Sequence, residues 1–267
     1  MRWRIMGVLN VTPDSFSDGG EWFDFAAAVE HGRGLIAEGA ELLDVGGEST
    51  RPGADPVSLA DELARVVPVV EALAGAGAQL SIDTAKAEVA RAALDAGATL
   101  VNDVTALRGD PDMAALVAER DCDCCLMHML GRPRTMQDDP RYDDVVAEVA
   151  QFLSARADVA LAAGIARERI LVDPGIGFGK TMEHNLQLLD RLDAIATLGF
   201  PVVLGTSRKS FLGRLTGHED PHERAVATAA TSVLGLERGA SIFRVHDVAA
   251  TRDALLVAAA TLRAHGA

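Results

Sequence analysis

Short apolar runs recur along the chain, separated by longer stretches in which apolar positions return every three or four residues. The runs fall at 5–9, 42–45, 79–82, 100–101, 124–127, 170–172, 202–204 and 241–243. Each is continuous rather than alternating, which is the pattern of a strand buried on both faces of a parallel sheet. Between them the spacing predicts helices over 25–38, 59–73, 85–95, 144–163, 183–196, 221–238 and 247–264. Ser58 is a candidate N-cap for the second of these, with Asp61 three residues on. Pro68 lies inside that helix and is expected to kink it. Gly39, Gly97 and Gly164 follow three of the helices and stop them. Eight strand runs and seven helical spans thus alternate along the chain. Alternation argues for an α/β fold with a parallel sheet, and eight units argue for closure into a single (β/α)8 TIM barrel. An open, doubly wound sheet is the alternative. No Pro-, Gly- or Ser-rich linker divides the chain, so 1–267 is expected to be one domain.

The polar and Gly-rich segments are unevenly placed. They follow the strands: N-V-T-P-D-S-F-S-D-G-G at 10–20, G-G-E-S-T-R-P-G at 46–53, D-T at 83–84, N-D-V at 102–104, H-M-L-G-R-P-R-T-M-Q at 128–137, D-P-G-I-G-F-G-K at 173–180, T-S-R-K-S at 206–210 and R-V-H-D at 244–247. The opposite connections are mostly short and rich in Gly and Ala. A TIM barrel builds its active site from the loops that follow its strands, so the unusual chemistry is gathered on one rim.

Composition narrows the partners. The net charge is −14, which argues against a nucleic-acid binder held by phosphate contacts. No stretch has the length of a membrane-spanning helix, and the N-terminal apolar run is too short for a secretion signal. A cytoplasmic protein is expected. Cys122, Cys124 and Cys125 crowd together, but only His128 is near, and zinc would need ligands at other offsets. Buried thiols on a strand are the simpler reading. His218 and His222 are four apart, but Pro221 intervenes, so they do not form a zinc pair on a helix.

Within this acidic chain, four cations sit on two adjacent loops: Arg208 and Lys209 after the seventh strand, Arg244 and His246 after the eighth. Those loops hold phosphate in many barrels, so an anion site is expected there. Asp83, Asn102 and Asp173 each end an apolar run and are expected to point into the barrel mouth. Two acceptor-only carboxylates and an amide that both donates and accepts suit the edge of a flat guanine-like or pterin heterocycle. Helix capping is the competing role for each, Asp83 most directly. The stretch G-I-G-F-G-K-T is not a P-loop, because Pro174 stands where that motif needs its first Gly; it reads as a turn that keeps Asp173 in place. Asn10 could offer an amide oxygen to a hard ion such as Mg2+ that leans on substrate phosphates.

Five of the segments, N-V-T-P-D-S-F-S-D-G-G, G-G-E-S-T-R-P-G, D-P-G-I-G-F-G-K, S-R-K-S and R-V-H-D, occur in this order over nearly the whole chain and resemble those of the dihydropteroate synthases. The resemblance implies condensation of a pterin diphosphate with 4-aminobenzoate in folate biosynthesis. It implies a pterin held by Asp83, Asn102, Asp173 and Lys209, a diphosphate held by Asn10, Arg244 and His246, and Mg2+ at Asn10. It places 4-aminobenzoate, and the sulfonamides that mimic it, among Phe16, Thr50, Pro52 and Ser210. Asp18, Arg51, Lys209, Arg244 and His246 would carry the chemistry. Homodimers that pair through barrel helices are usual in the family. Two other readings share parts of this pattern. A methyltetrahydrofolate-dependent methyltransferase would explain Asp83, Asn102 and Asp173 but not the cations after strands seven and eight. A non-catalytic pterin binder would be expected to have lost part of the first two loops or of the anion cluster.

Overall fold

A computed structural model describes residues 2–12, 25–49, 54–132 and 134–265. Eight strands run parallel and close on themselves in sequence order. They are β1 (Arg4–Asn10), β2 (Leu42–Gly46), β3 (Gln79–Asp83), β4 (Leu100–Asp103), β5 (Asp123–Met127), β6 (Ile170–Asp173), β7 (Val202–Leu204) and β8 (Ala240–Val245). Closure is made by β1 against β8, with Met6 opposite Arg244. The closed barrel, and not the open sheet, is the fold.

Helices surround it. Those that match the expected spans are α1 (Phe25–Glu38), α2 (Leu59–Leu73), α3 (Ala87–Asp95), α5 (Val145–Ala162) and α10 (Val248–His265). Ser58 caps α2 as expected, its hydroxyl accepting from the Asp61 N–H at 3.1 Å. Pro68 does not interrupt α2, whose Val66, Val69, Val70 and Leu73 face the core. Five further helices correct the sequence reading. α4 (Met113–Arg120) was not anticipated, nor was α8 (Ser210–Thr216). The span 183–196 is two helices, α6 (Met182–Asp190) and α7 (Leu192–Ala196), which meet at Arg191. The span 221–238 opens with a 3-10 turn, Pro221–Arg224, before α9 (Ala225–Glu237), because Pro221 enters the turn without an N–H to donate.

Packing forms two layers. One large apolar cluster joins the outward faces of the strands to the helices. Inside the barrel, Met6, Leu42, Leu100, Cys125, Leu171, Val203 and Ile242 form a separate floor. The polar residues described below stand on it.

The three cysteines belong to these apolar layers. Cys122 and Cys124 lie in the outer cluster and Cys125 in the floor. Burial pushes the Cys122 thiol up to about 11, the Cys124 thiol to about 12 and the Cys125 thiol well above its usual range, so all three stay protonated and poorly reactive at neutral pH. Replacing all three by Ala or Val should leave turnover intact and lower stability by about 1–3 kcal/mol through lost packing. Stoichiometric zinc in the purified protein would overturn the packing role.

Candidate active site

Successive side chains of a strand point to opposite faces, so every second residue of each barrel strand enters the interior. One step above the apolar floor these positions turn polar. β2 supplies Asp44, β3 supplies Ser81 and Asp83, β4 supplies Asn102, β6 supplies Asp173 and β8 supplies Arg244. Asp44 is fully buried and sits at the centre. Its Oδ1 accepts from Ser81 Oγ at 2.6 Å, and its Oδ2 accepts from Asn102 Nδ2 at 2.9 Å and from Arg244 Nε at 2.6 Å. Arg244 also gives Nη2 to Asp83 Oδ2 at 2.8 Å. One guanidinium therefore spans two buried carboxylates, and its Nη1 makes no hydrogen bond to another described residue.

This arrangement changes proton affinities. Burial, together with the neighbouring Asp44 charge, pushes Asp83 up to about 7 against the pull of Arg244. Burial likewise raises Asp173, opposed by Lys209, by an N–H bond from Gly175 and by Arg244. Lys209 falls to about 8 because it is buried, and Asp173 limits the fall. The mouth thus holds carboxyl groups that keep a proton more readily than usual, beside a lysine that gives its proton up more readily.

The strand exits set the remaining groups. Asp173 ends β6, and its Oδ1 accepts from the Gly175 N–H at 2.7 Å, so the turn read in G-I-G-F-G-K does hold this carboxylate. Lys209 follows β7; its Nζ donates to the Ile176 carbonyl and lies 4.7 Å from the centroid of the Phe178 ring. His246 follows β8, with its Nδ1 2.9 Å from Ser207 Oγ and its backbone N–H donating to the same oxygen. Asn10 stands at the end of β1, partly exposed, with no side-chain hydrogen bond to another described residue. Ser210 opens α8 and is exposed beside Lys209.

The alternative role considered for Asp83 is excluded. Asp83 caps no helix: α3 begins only at Ala87, and Asp83 is engaged with Arg244. Arg208 gives Nη2 and Nε to Asp247 at 2.7 and 3.1 Å, much as Arg244 gives the same two groups to Asp83 and Asp44. Asn102, Asp83, Asp173, Lys209 and Arg244 are brought together in one mouth. Phe16, Asp18, Thr50, Arg51 and Pro52 lie outside the described residues.

Several participants were not singled out from the sequence. Asp44 and Ser81 are polar residues inside otherwise apolar runs, and that was their available signal. Around the second loop, Lys86 pairs with Glu48 and with the buried Glu62, and donates to the Val57 carbonyl at 3.0 Å. Thr84 Oγ1 donates to Glu62 at 2.7 Å, and Arg65 to the Gly47 carbonyl at 2.9 Å. The described residues on both sides of 50–53 are thereby tied to β3 and α2.

A closed (β/α)8 barrel whose mouth offers two buried carboxylates, an amide and half-buried cations has the donors and acceptors that the edge of a flat, nitrogen-rich heterocycle would need. Comparison with known proteins agrees. A family model described as "Pterin binding enzyme" matches residues 6–246. A dihydropteroate synthase of Mycobacterium leprae is 50% identical over 267 residues, covering 98% of this chain and 94% of the relative. The Xanthomonas albilineans dihydropteroate synthase solved with 4-aminobenzoic acid superposes with a TM-score of 0.92 at 52% identity, covering 98% and 93% of the two chains. A structure of the enzyme from that organism with 7,8-dihydropteroate gives 0.88 at 48% identity, covering 98% and 94%. This chain belongs to the pterin-binding enzyme family and, within it, to the dihydropteroate synthases.

Proposed function

We infer that the protein condenses 6-hydroxymethyl-7,8-dihydropterin diphosphate with 4-aminobenzoate, giving 7,8-dihydropteroate and diphosphate. The observation that carries this is the polar ring above the barrel floor, Asp44–Asn102–Arg244–Asp83, with Asp173 and Lys209 beside it. In this reading Asp83, Asn102 and Asp173 take the N–H-rich edge of the pterin, and Lys209 donates to its ring acceptors. Nη1 of Arg244 and the ring of His246 face the departing diphosphate.

The reaction breaks the bond between the pterin methylene and the diphosphate oxygen, and forms a bond from that carbon to the amine nitrogen. Conjugation with the ring spreads positive charge at the carbon, while Arg244 and His246 stabilise the charge that leaves. The aromatic amine is neutral at pH 7 and attacks through its lone pair, then loses a proton, so no strong general base is required. Closure of residues 10–20 and 46–53, with Asp18 and Arg51, would keep water from the carbon. Phe16, Thr50, Pro52 and Ser210 would line the amine pocket.

Asn10 alone cannot hold a metal, and no group of three His, Cys, Asp or Glu among the described residues could do so. One amide oxygen fits an ion that arrives on the diphosphate and keeps most of its waters. Mg2+ held in this way would offset part of the leaving group's charge. No helix among the described residues is long and apolar enough to cross a membrane, in keeping with a cytoplasmic enzyme. Exposed Val226 and Leu234 on α9, with Leu256 and Val257 on α10, favour a homodimer that pairs through these helices.

The reading is tested by binding order. The amine pocket is assigned largely to two loops, 10–20 and 46–53, on which the bound first substrate would act before the second binds. Calorimetric titration of 4-aminobenzoate should show little binding to the empty enzyme and clear binding once pterin, diphosphate and Mg2+ are present. Equal affinity in both titrations would mean a preformed pocket.

A further inference from the structure

The lysine of the G-I-G-F-G-K segment has no part in the mechanism above, yet it is among the most deeply buried charged residues of the protein, 3% exposed. Lys180 Nζ is 2.9 Å from His128 Nδ1, and donates to the carbonyls of Gly175 at 2.9 Å and Phe178 at 3.1 Å. We infer that Lys180 is a positioning residue for the pterin: its three bonds clamp the loop 174–179 against the end of β5, and the backbone of that loop aims Asp173 and Lys209.

The geometry supports each link. The carbonyls that Lys180 holds bracket the middle of the loop. Between them lie the Ile176 carbonyl that receives Lys209 and, at the far bracket, the Phe178 ring that faces its Nζ. The N–H of the first clamped residue, Gly175, is the one bonded to Asp173. The loop also lies backbone to backbone on β5: Gly175 has a φ of +66°, and a Cβ there would overlap the His128 carbonyl oxygen. Only glycine permits this approach.

The clamp is saturated. A lysine ammonium has three donors and no acceptor, and three acceptors surround this one, so none is left for substrate. His128 can serve as an acceptor because burial and the Lys180 charge lower its pKa to about 3. Its ring is neutral, and its proton then sits on Nε2. The ring is itself fixed edge-on against Phe152, with centroids 4.8 Å apart. Burial and Lys209 lower the proton affinity of Lys180 well below its ordinary range, but the donor count matches the charged form. Other ties to the loop exist: Asn185 accepts from the Gly177 N–H at 2.7 Å, and Tyr142 donates to the Gly179 carbonyl at 2.8 Å. Neither touches Gly175 or Phe178. Lys180 also belongs to the charges that face Asp173, with Lys209 from the β7 exit and Arg244 from β8; the Cys125 thiol approaches it from β5.

The proposal rests on the assignment of Asp173 and Lys209 to the pterin, and the test separates the two. Lys180→Met keeps the apolar stem and removes the donors. His128→Leu keeps the ammonium and removes one acceptor. Titrate wild type and both variants calorimetrically with 6-hydroxymethylpterin across pH, and measure steady-state kinetics. Lys180→Met should weaken pterin binding about tenfold and raise the KM for the pterin diphosphate. The KM for 4-aminobenzoate at saturating pterin should stay within about twofold, since the amine side is set by other loops. The rise of pterin affinity with pH should move to higher pH, because Asp173 has lost a neighbouring positive charge. His128→Leu should show a smaller loss in the same direction. A lysine that served only the fold would lower the melting temperature and the active fraction, with pterin affinity and pH profile unchanged, and that result overturns the proposal. If Lys180→Met does not fold, unchanged pterin affinity in His128→Leu overturns it equally. Failure of the wild type to bind pterin would instead remove the site assignment, and the clamp with it.

Discussion

Arg244→Ala is expected to lower turnover by about two to three orders of magnitude and to destabilise the empty protein by about 3–5 kcal/mol. Both effects follow from its double engagement. The guanidinium is the shared counterion of Asp44 and Asp83, and its removal leaves buried carboxylates without the charge that offsets their lost hydration. The loss in turnover comes from the free side of the same fork, where no other group replaces Nη1. The two effects separate by pH. Asp83 is raised to about 7, so at pH 5 it is largely protonated and needs a counterion less. Denaturant unfolding should therefore show a smaller gap between wild type and variant at pH 5 than at pH 8. Near-normal turnover would remove Arg244 from the leaving-group side, and a gap independent of pH would mean the carboxylates are hydrated in the variant.

Asp83→Asn and Asp173→Asn should each weaken pterin binding by about 1–3 kcal/mol or more, because an amide places donors where the heterocycle already donates. The wild type carries a matching signature. Pterin N–H groups need an ionised carboxylate, so affinity should climb as pH rises through about 7 and level off above, and binding below pH 7 should release a proton. The folded-state pKa of Asp83 is raised above its usual value of 3.8, so its contribution to stability is complete at low pH and is lost as pH rises from about 4 through about 7. The empty enzyme is thus penalised in the pH range where the ligand binds best, and the ligand removes the penalty. Titration in buffers of different ionisation enthalpy measures the proton count. Unchanged affinity in both variants would place the ring elsewhere.

The barrel itself was legible because parallel strands buried on both faces leave continuous apolar runs, and the polar residues that end them stand out. Asp83, Asn102 and Asp173 were found in this way. Asp44 was not, although it binds three of the other site groups, because it sits inside the run 42–45 and reads there as an interruption. Lys180 carries no such signal: the glycines around it look like a phosphate loop that Pro174 rules out, and nothing in the spacing ties a lysine to a histidine 52 residues away. The pairing of Arg208 with Asp247 was not legible, because it depends on β7 and β8 lying side by side. The break between α6 and α7 at Arg191 has no Gly or Pro to announce it. α4 was simply short, although Met113, Leu116 and Val117 carry a helical spacing.

The pairing of β1 with β8 has a consequence for how the chain folds. Strands that neighbour each other everywhere else are close in sequence, but this contact joins residues 4–7 to residues 242–245. Contacts of such separation form late and slowly. Arg244 lies in that last strand, whereas Asp44 and Asp83 are made in the first third of the chain. During synthesis the two carboxylates therefore wait without their counterion until nearly all of the protein has emerged. Their counterion arrives with the strand that shuts the barrel, so closing the fold and completing the site are the same event. A half-made chain should carry no trace of the binding mouth, and a full-length chain should gain pterin binding in step with its final folding phase.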